Sequence, residues 1–167
     1  MKSYVYEDLE IGHQFPILDK GRISTSHIMR WSAAVENWHR IHYDYRFATE
    51  HDKLPDVLIN GSWKQHILIQ LAKDSLGPTS WLWKMKFKYK KMDVAGDSLH
   101  GIATILDKQQ TSEFGFITLG LQLVNQNKET STEGWSISAI PFKGGVLVAY
   151  PFVDKQEYSL LRTPISE

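Results

Sequence analysis

There is no cysteine among the 167 residues. That excludes disulfide staples, thiolate nucleophiles and cysteine-ligated metals together, and leaves the fold to be held by its core. Neither sign of charge is in excess, since Lys plus Arg and Asp plus Glu are 19 each. A chain of zero formal charge has no global field to draw in nucleic acid or an anionic membrane surface, so neither is expected as a partner. Long apolar runs are missing too. The opening MKSYVYEDLEIG is acidic and carries no apolar stretch, so neither a signal peptide nor a spanning helix is read, and a cytoplasmic protein is expected. Repeats and low-complexity segments are absent. Hydrophobic residues at 42% and aromatic residues at 12% supply enough apolar surface for one real core, which argues against disorder.

The first half of the chain reads as helical and irregular, the second as strands, which predicts an α+β domain with a largely antiparallel sheet. Ser24 to Glu36 predicts a helix: Ser24, Thr25 and Ser26 offer N-cap oxygens, and Ile28, Trp31, Ser32 and Val35 fall near one face. The stretch from Asn37 to Asp44 has no clean period and reads as a loop. Ser62 to Leu76 is the strongest helix, with Trp63, Ile67, Leu68, Leu71, Ala72 and Leu76 at helical spacing and Gly77-Pro78 as its stop. Its apolar side is wide enough for a helix wrapped by a sheet.

Trp83, Met85, Phe87 and Tyr89 then alternate with Lys84, Lys86, Lys88 and Lys90, a strand whose lysine row is better explained as a guarded edge than as a phosphate strip. Strands are also predicted over Ser98 to Leu106, around Ile117 to Leu123, and around Trp135 to Ala139. Lys143-Gly144-Gly145 suggests a hairpin into a last strand, Val146 to Tyr150. The expected domain runs over residues 1–142, with residues 143–167 as a C-terminal extension that includes an added strand and a tail.

The chemistry-bearing residues cluster at Asn37, His39, Arg40, His42, Tyr43 and Asp44. Histidine exchanges protons near neutral pH, whereas the amide of Asn37 can hold a water or a carbonyl but cannot act as a base. Asn60-Gly61 precedes the long helix, where unpaired N–H groups and the helix dipole favour an oxyanion and glycine lets a carbonyl approach. Blander readings stand beside these. His42 can be a structural histidine, Asn37 a helix cap, Gly61 a turn, and Arg40 half of a surface ion pair. His39, His42 and Asp44 lack a recognisable further ligand and second shell, so no metal is expected.

The block Trp31-Ser32-Ala33-Ala34-Val35-Glu36-Asn37-Trp38-His39-Arg40-Ile41-His42-Tyr43-Asp44 resembles the motif of MaoC-like acyl dehydratases. It is most similar to their branch of mesaconyl-CoA and itaconyl-CoA hydratases and type 2 hydroxyacyl-thioester dehydratases. Leu54 to Gly61, Tyr6 to Gly12 and Val94 to Asp97 resemble further landmarks of that family. The resemblance implies a hotdog fold, with a long central helix wrapped by an antiparallel sheet. It implies a homodimer or higher even oligomer, and R-specific hydration of an enoyl thioester or the reverse dehydration. The substrate would be an acyl-CoA or an acyl-carrier-protein thioester, and no cofactor is called for.

Carried over by position, His42 is the catalytic histidine, and Asn37 falls where the wider family has an aspartate. Gly61 offers its N–H to the thioester carbonyl. His39, Arg40, Tyr43, Asn60 and Trp63 fall around the substrate, Trp63 narrowing the acyl pocket. Two other functions stay open: a non-catalytic acyl-CoA-binding hotdog subunit of a hetero-oligomeric hydratase, and an acyl-CoA thioesterase.

Overall fold

The computed structural model describes residues 2–149, 152, 153 and 155–160. Helix α1 (Thr25–Ala34) precedes the long helix α2 (Gly61–Leu76). Strand β1 (Leu18–Arg22) lies before both helices, and β2 (Trp81–Tyr89), β3 (Ser98–Gln110), β4 (Gly115–Asn125) and β5 (Thr130–Ile140) follow them. The strands form one antiparallel sheet in the order β1-β3-β4-β5-β2. This is the α+β architecture the residue patterns and the family resemblance implied.

Helix α2 packs against β2, β3 and β4. Its Ile67, Leu68, Leu71, Ala72 and Leu76 are buried in one cluster with Leu99, Ala103 and Ile105 of β3 and Leu119, Leu121 and Leu123 of β4. The helical period of the first set meets the two-residue period of the second, so each element buries one face against the other. The helix stops at Gly77, whose φ of 83° and N–H bond to the Lys73 carbonyl (2.9 Å) make a left-handed cap. A Cβ there would also stand 2.2 Å from the Lys2 carbonyl oxygen, so space as well as torsion demands glycine.

Strand β1 was not foreseen. Leu-Asp-Lys-Gly-Arg shows no alternation, because a bulge between Asp19 and Gly21 shifts its register and none of its residues is fully buried. Strand β2 is the opposite edge, and its Lys84, Lys86 and Lys88 are exposed, which fits the guarded-edge reading. The alternation from Trp83 to Tyr89 misleads at one point. A bulge between Leu82 and Lys84 inserts an extra residue and flips the parity, so Leu82, Met85 and Phe87 face the helix while Trp83 joins Trp81 on the outer face.

That outer face holds a second cluster of Phe116, Trp135, Ile137, Ala139 and Tyr158, with Trp81, Trp83, Val148 and Phe152 against it. The described residues of the C-terminal extension thus pack on the sheet without joining it. The expected strand at Val146 is corrected: residues 146–149 form none, and Tyr150 lies outside the described residues. Aromatic packing, with Tyr158 stacked on Phe152 and edge-on to Phe116, takes the place of ladder hydrogen bonds. No helix among the described residues is long and apolar enough to cross a membrane.

Candidate functional site

Helix α1 ends two residues ahead of the predicted loop. Glu36 takes a left-handed φ of 54°, its N–H bonds to the Ala33 carbonyl, and the Asn37 N–H bonds to the Ser32 carbonyl. These two bonds make a Schellman cap, so the backbone closes the helix and the Asn37 side chain is left for other work. Its Oδ1 accepts from the His39 N–H at 3.3 Å, and His39 Nδ1 accepts from the Ile41 N–H at 3.3 Å. A single 3₁₀ turn, Arg40–His42, follows and delivers His42 inward.

His42 is 7% exposed, whereas His39 and Arg40 are exposed. The backbone pairs locally with the segment leading into α2, since the Leu58 N–H bonds to the Ile41 carbonyl at 2.9 Å. His42 Nδ1 lies 2.8 Å from the Leu58 carbonyl oxygen. A carbonyl can only accept, so Nδ1 carries the proton and, in the neutral ring, Nε2 keeps its lone pair. Burial pushes the His42 pKa below its usual 6.5; the bond to the Leu58 carbonyl works against this and nearby His39 adds to it. The result is a fixed imidazole that stays neutral, and therefore basic, at pH 7.

The Leu58 segment bridges to Val94 and runs straight into Asn60 and Gly61. Asn60 is fully buried and shares hydrogen bonds with the Ser32 hydroxyl (3.1 and 3.3 Å), tying the start of α2 to α1. Its carbonyl takes the N–H groups of Trp63 and Lys64, whereas those of Gly61 and Ser62 have no partner among the described residues. Unpaired donors at the positive end of a helix dipole can receive a carbonyl or oxyanion. Lys64 is buried one turn in, its ammonium bonded to Asp93 Oδ2 (2.9 Å) and the Lys91 carbonyl (2.8 Å). That pins the chain after β2 to the first turn of α2.

The structure therefore ties His42 to Leu58, three residues ahead of Gly61. Arg40 turns away, forming an ion pair with Asp44 at 2.7 Å and stacking on Phe47. Tyr43 donates its hydroxyl to the Trp38 carbonyl. Trp63 lies 6.3 Å from Trp31 in a near-parallel stack, and the Trp31 indole N–H holds the Ser62 hydroxyl at 2.9 Å. A hollow of about 230 Å³ between α1 and α2 is lined by His27, Arg30, Trp31, Ala34 and Trp63. A larger groove of about 460 Å³ lies on the outer sheet face around Thr104, Leu106 and Gln122, without His42 or Gly61. No group of three His, Asp or Glu among the described residues is placed to hold a metal ion.

Sequence reasoning missed Tyr89, Ser32 and Lys64. Tyr89 looked like one more apolar member of the lysine strand, and no local pattern reveals that it ends beside Gly61. A Cβ built on Gly61 would stand 3.0 Å from both Cζ and Oη of Tyr89.

A helix gripped by an antiparallel sheet, with a buried histidine bonded to the segment that leads into it, places the molecule among hotdog domains, and solved structures agree. R-hydratase PhaJ1 from Pseudomonas aeruginosa superposes with a TM-score of 0.74 at 15% identity, covering 90% of this chain and 94% of that one. The (R)-hydratase from A. caviae involved in PHA biosynthesis gives 0.72 at 18% identity, covering 81% and 99%. A Mycobacterium tuberculosis protein with a double hotdog fold gives 0.70 at 13% identity, covering 99% of this chain and 53% of that one. None of the curated proteins matches the sequence. The family of hydroxyacyl-thioester dehydratase type 2 matches residues 10–97, just over half of the chain, and this protein belongs to it.

Proposed function

We propose that this chain hydrates an enoyl thioester to the 3-hydroxyacyl thioester, or runs the reverse dehydration, with R stereochemistry by family likeness. The observation that carries the reading is the buried His42, bonded through Nδ1 to the carbonyl of Leu58, which stands three residues before a helix whose first N–H groups, like His42 Nε2, have no partner among the described residues. In the forward direction the thioester carbonyl sits on the Gly61 N–H, which draws charge from the double bond and makes the β-carbon electrophilic. Water, oriented by Asn37 and His42, forms the new C–O bond at that carbon as its proton passes to His42 Nε2. The π electrons move onto the carbonyl oxygen as an enolate, stabilised at the end of α2. The α-carbon then takes back a proton, and the net change is addition of one water.

In this reading Asn60 acts from behind, by fixing the angle between α1 and α2. His39, Tyr43 and Trp63 border the acyl thioester, and Arg40 stands at its solvent side. The partner is an acyl-CoA, or an acyl-carrier-protein thioester, in the cytoplasm. Trp38 and Tyr45 are 55% and 57% exposed along the histidine segment, apolar surface that a second copy would cover in a homodimer.

The test is the purified chain against enoyl-CoAs of varied length, including branched, dicarboxylic and ring-bearing ones, followed by loss of the enoyl absorbance. Turnover is expected with at least one, and His42→Ala should lower it by about two to four orders of magnitude, the usual worth of a positioned acid–base group. A His42→Ala rate near wild type removes His42 from the mechanism. Free thiol release without loss of the enoyl group would make the protein a thioesterase instead.

A further inference from the structure

We propose that the hydroxyl of Tyr89 is a catalytic hydrogen-bond donor to the thioester carbonyl, acting beside the Gly61 N–H. The inference deepens the reading above and rests on it.

Tyr89 is the last residue of the edge strand β2, yet its ring crosses to the start of α2. Cα–Cβ bonds of a helix lean toward its N-terminus. An oxygen 3.0 Å from the Cβ position of Gly61 therefore stands beside the first residue of α2, whose N–H has no partner among the described residues. The missing side chain at position 61 leaves room for the phenol: a Cβ would sit 3.0–3.3 Å from Cζ, Oη and Cε1, and the ring would have to give way slightly. Glycine at this place thus keeps a second donor in position, besides opening the backbone to a carbonyl.

Tyr89 is 48% exposed, so the hydroxyl can be reached from solvent while its ring is gripped. The Lys64 ammonium lies 5.7 Å from the ring centroid and is itself anchored by Asp93 and the Lys91 carbonyl, which fixes the end of β2. Nearby Gln65 works in the opposite direction to burial, favouring the charged form of the phenol. Burial outweighs this and holds the phenol above its usual 10.0, so it keeps its proton at working pH. In the addition step no proton leaves Tyr89. The water proton goes to His42, the electron pair goes to the carbonyl oxygen, and the phenol and the Gly61 N–H both shorten their bonds to that oxygen as charge builds.

The experiment measures kcat and KM for Tyr89→Phe with whichever enoyl-CoA the wild type turns over. Phenylalanine keeps the ring against Gly61 and removes only the donor. The expected result is a kcat lowered about 10- to 100-fold, below the loss seen when a dedicated oxyanion donor is removed, with KM changed less than about threefold. Unchanged kcat in Tyr89→Phe while His42→Ala is inactive overturns the donor role and leaves the hydratase reading intact. A raised KM with kcat unchanged overturns it as well, since the hydroxyl would then bind ground state and transition state alike. Wild-type protein that turns over no enoyl thioester overturns both.

Discussion

The two faces of the sheet are built differently. The inner face is aliphatic: Leu, Ile and Ala of β3 and β4 close on α2, and the first turn of that helix carries the candidate site. The outer patch is aromatic, with Trp81, Trp83, Phe116 and Trp135 of the sheet under Phe152 and Tyr158 of the C-terminal extension. Branched aliphatic side chains interdigitate at high density and resist small displacements, which suits an element that must present N–H groups at a fixed place. Broad rings give large contact area from few residues, which suits a segment that docks without strand pairing. The extension adds polar pins to the β3–β4 turn, where Lys155 pairs with Glu113 at 2.6 Å and Ser112 donates to Glu157 at 3.2 Å. The inner face positions the candidate site, and the outer one covers surface.

The largest effect on this contrast should come from Leu68→Ala, at a fully buried position on α2. Such a deletion leaves a cavity and costs about 2–5 kcal/mol, and because it loosens the helix that carries Gly61 it should lower both Tm and turnover. Thermal melts and rates measured on the same sample check it. Loss of stability with full turnover per folded molecule would show that the site does not depend on the tightness of the inner core.

A smaller effect is expected for Tyr158→Ala, although its side chain is just as deeply buried. Its partners are the outer rings and a 3.3 Å hydrogen bond from its hydroxyl to Glu113, so its loss releases the extension without opening α2. Hydrogen exchange should quicken in residues 152–158 alone, Tm should move by less than about 3 °C, and turnover should hold. A matching fall in turnover would mean that the two faces are coupled.

The smallest effect is a displaced pH limb. His42 titrates below 6.5 in the fold and near 6.5 when unfolded, because burial disfavours its charged form. The folded state therefore binds fewer protons in that interval. The stability this contributes is fully present above the unfolded pKa and lost as pH falls through the folded one. The neutral base persists over the same interval, so kcat/KM should stay level as pH drops past about 6.5 and fall only below it. A limb centred at or above about 6.5 would show that the inner site is more hydrated than its geometry indicates.

Much of this was legible in the residues. Both helices, the β2 to β5 strands and the edge role of the lysine strand follow from periodicity, because burial of one face leaves a 3.6- or two-residue trace. His42 and Gly61 stood out through motif likeness and through the chemistry of histidine and of a glycine before a helix. Strand β1 left no trace because a bulge interrupts its five residues and none of them is fully buried. The parity flip at Trp83 left none because a bulge is a matter of pairing register.

The sequence by itself determined the class of fold, the helix that anchors it, and the segment where proton chemistry is available, since these depend on local pattern and residue type. Tertiary structure alone decided which histidine nitrogen is free, because that depends on the Leu58 carbonyl, 16 residues away. It also decided that Arg40 closes on Asp44, that Asn60 faces Ser32, and that Tyr89 meets Gly61. The physical reason is that hydrogen bonds and close contacts between distant segments are set by how elements pack. Which distant segments meet is a property of the whole chain, and that choice leaves no period in any one stretch of it.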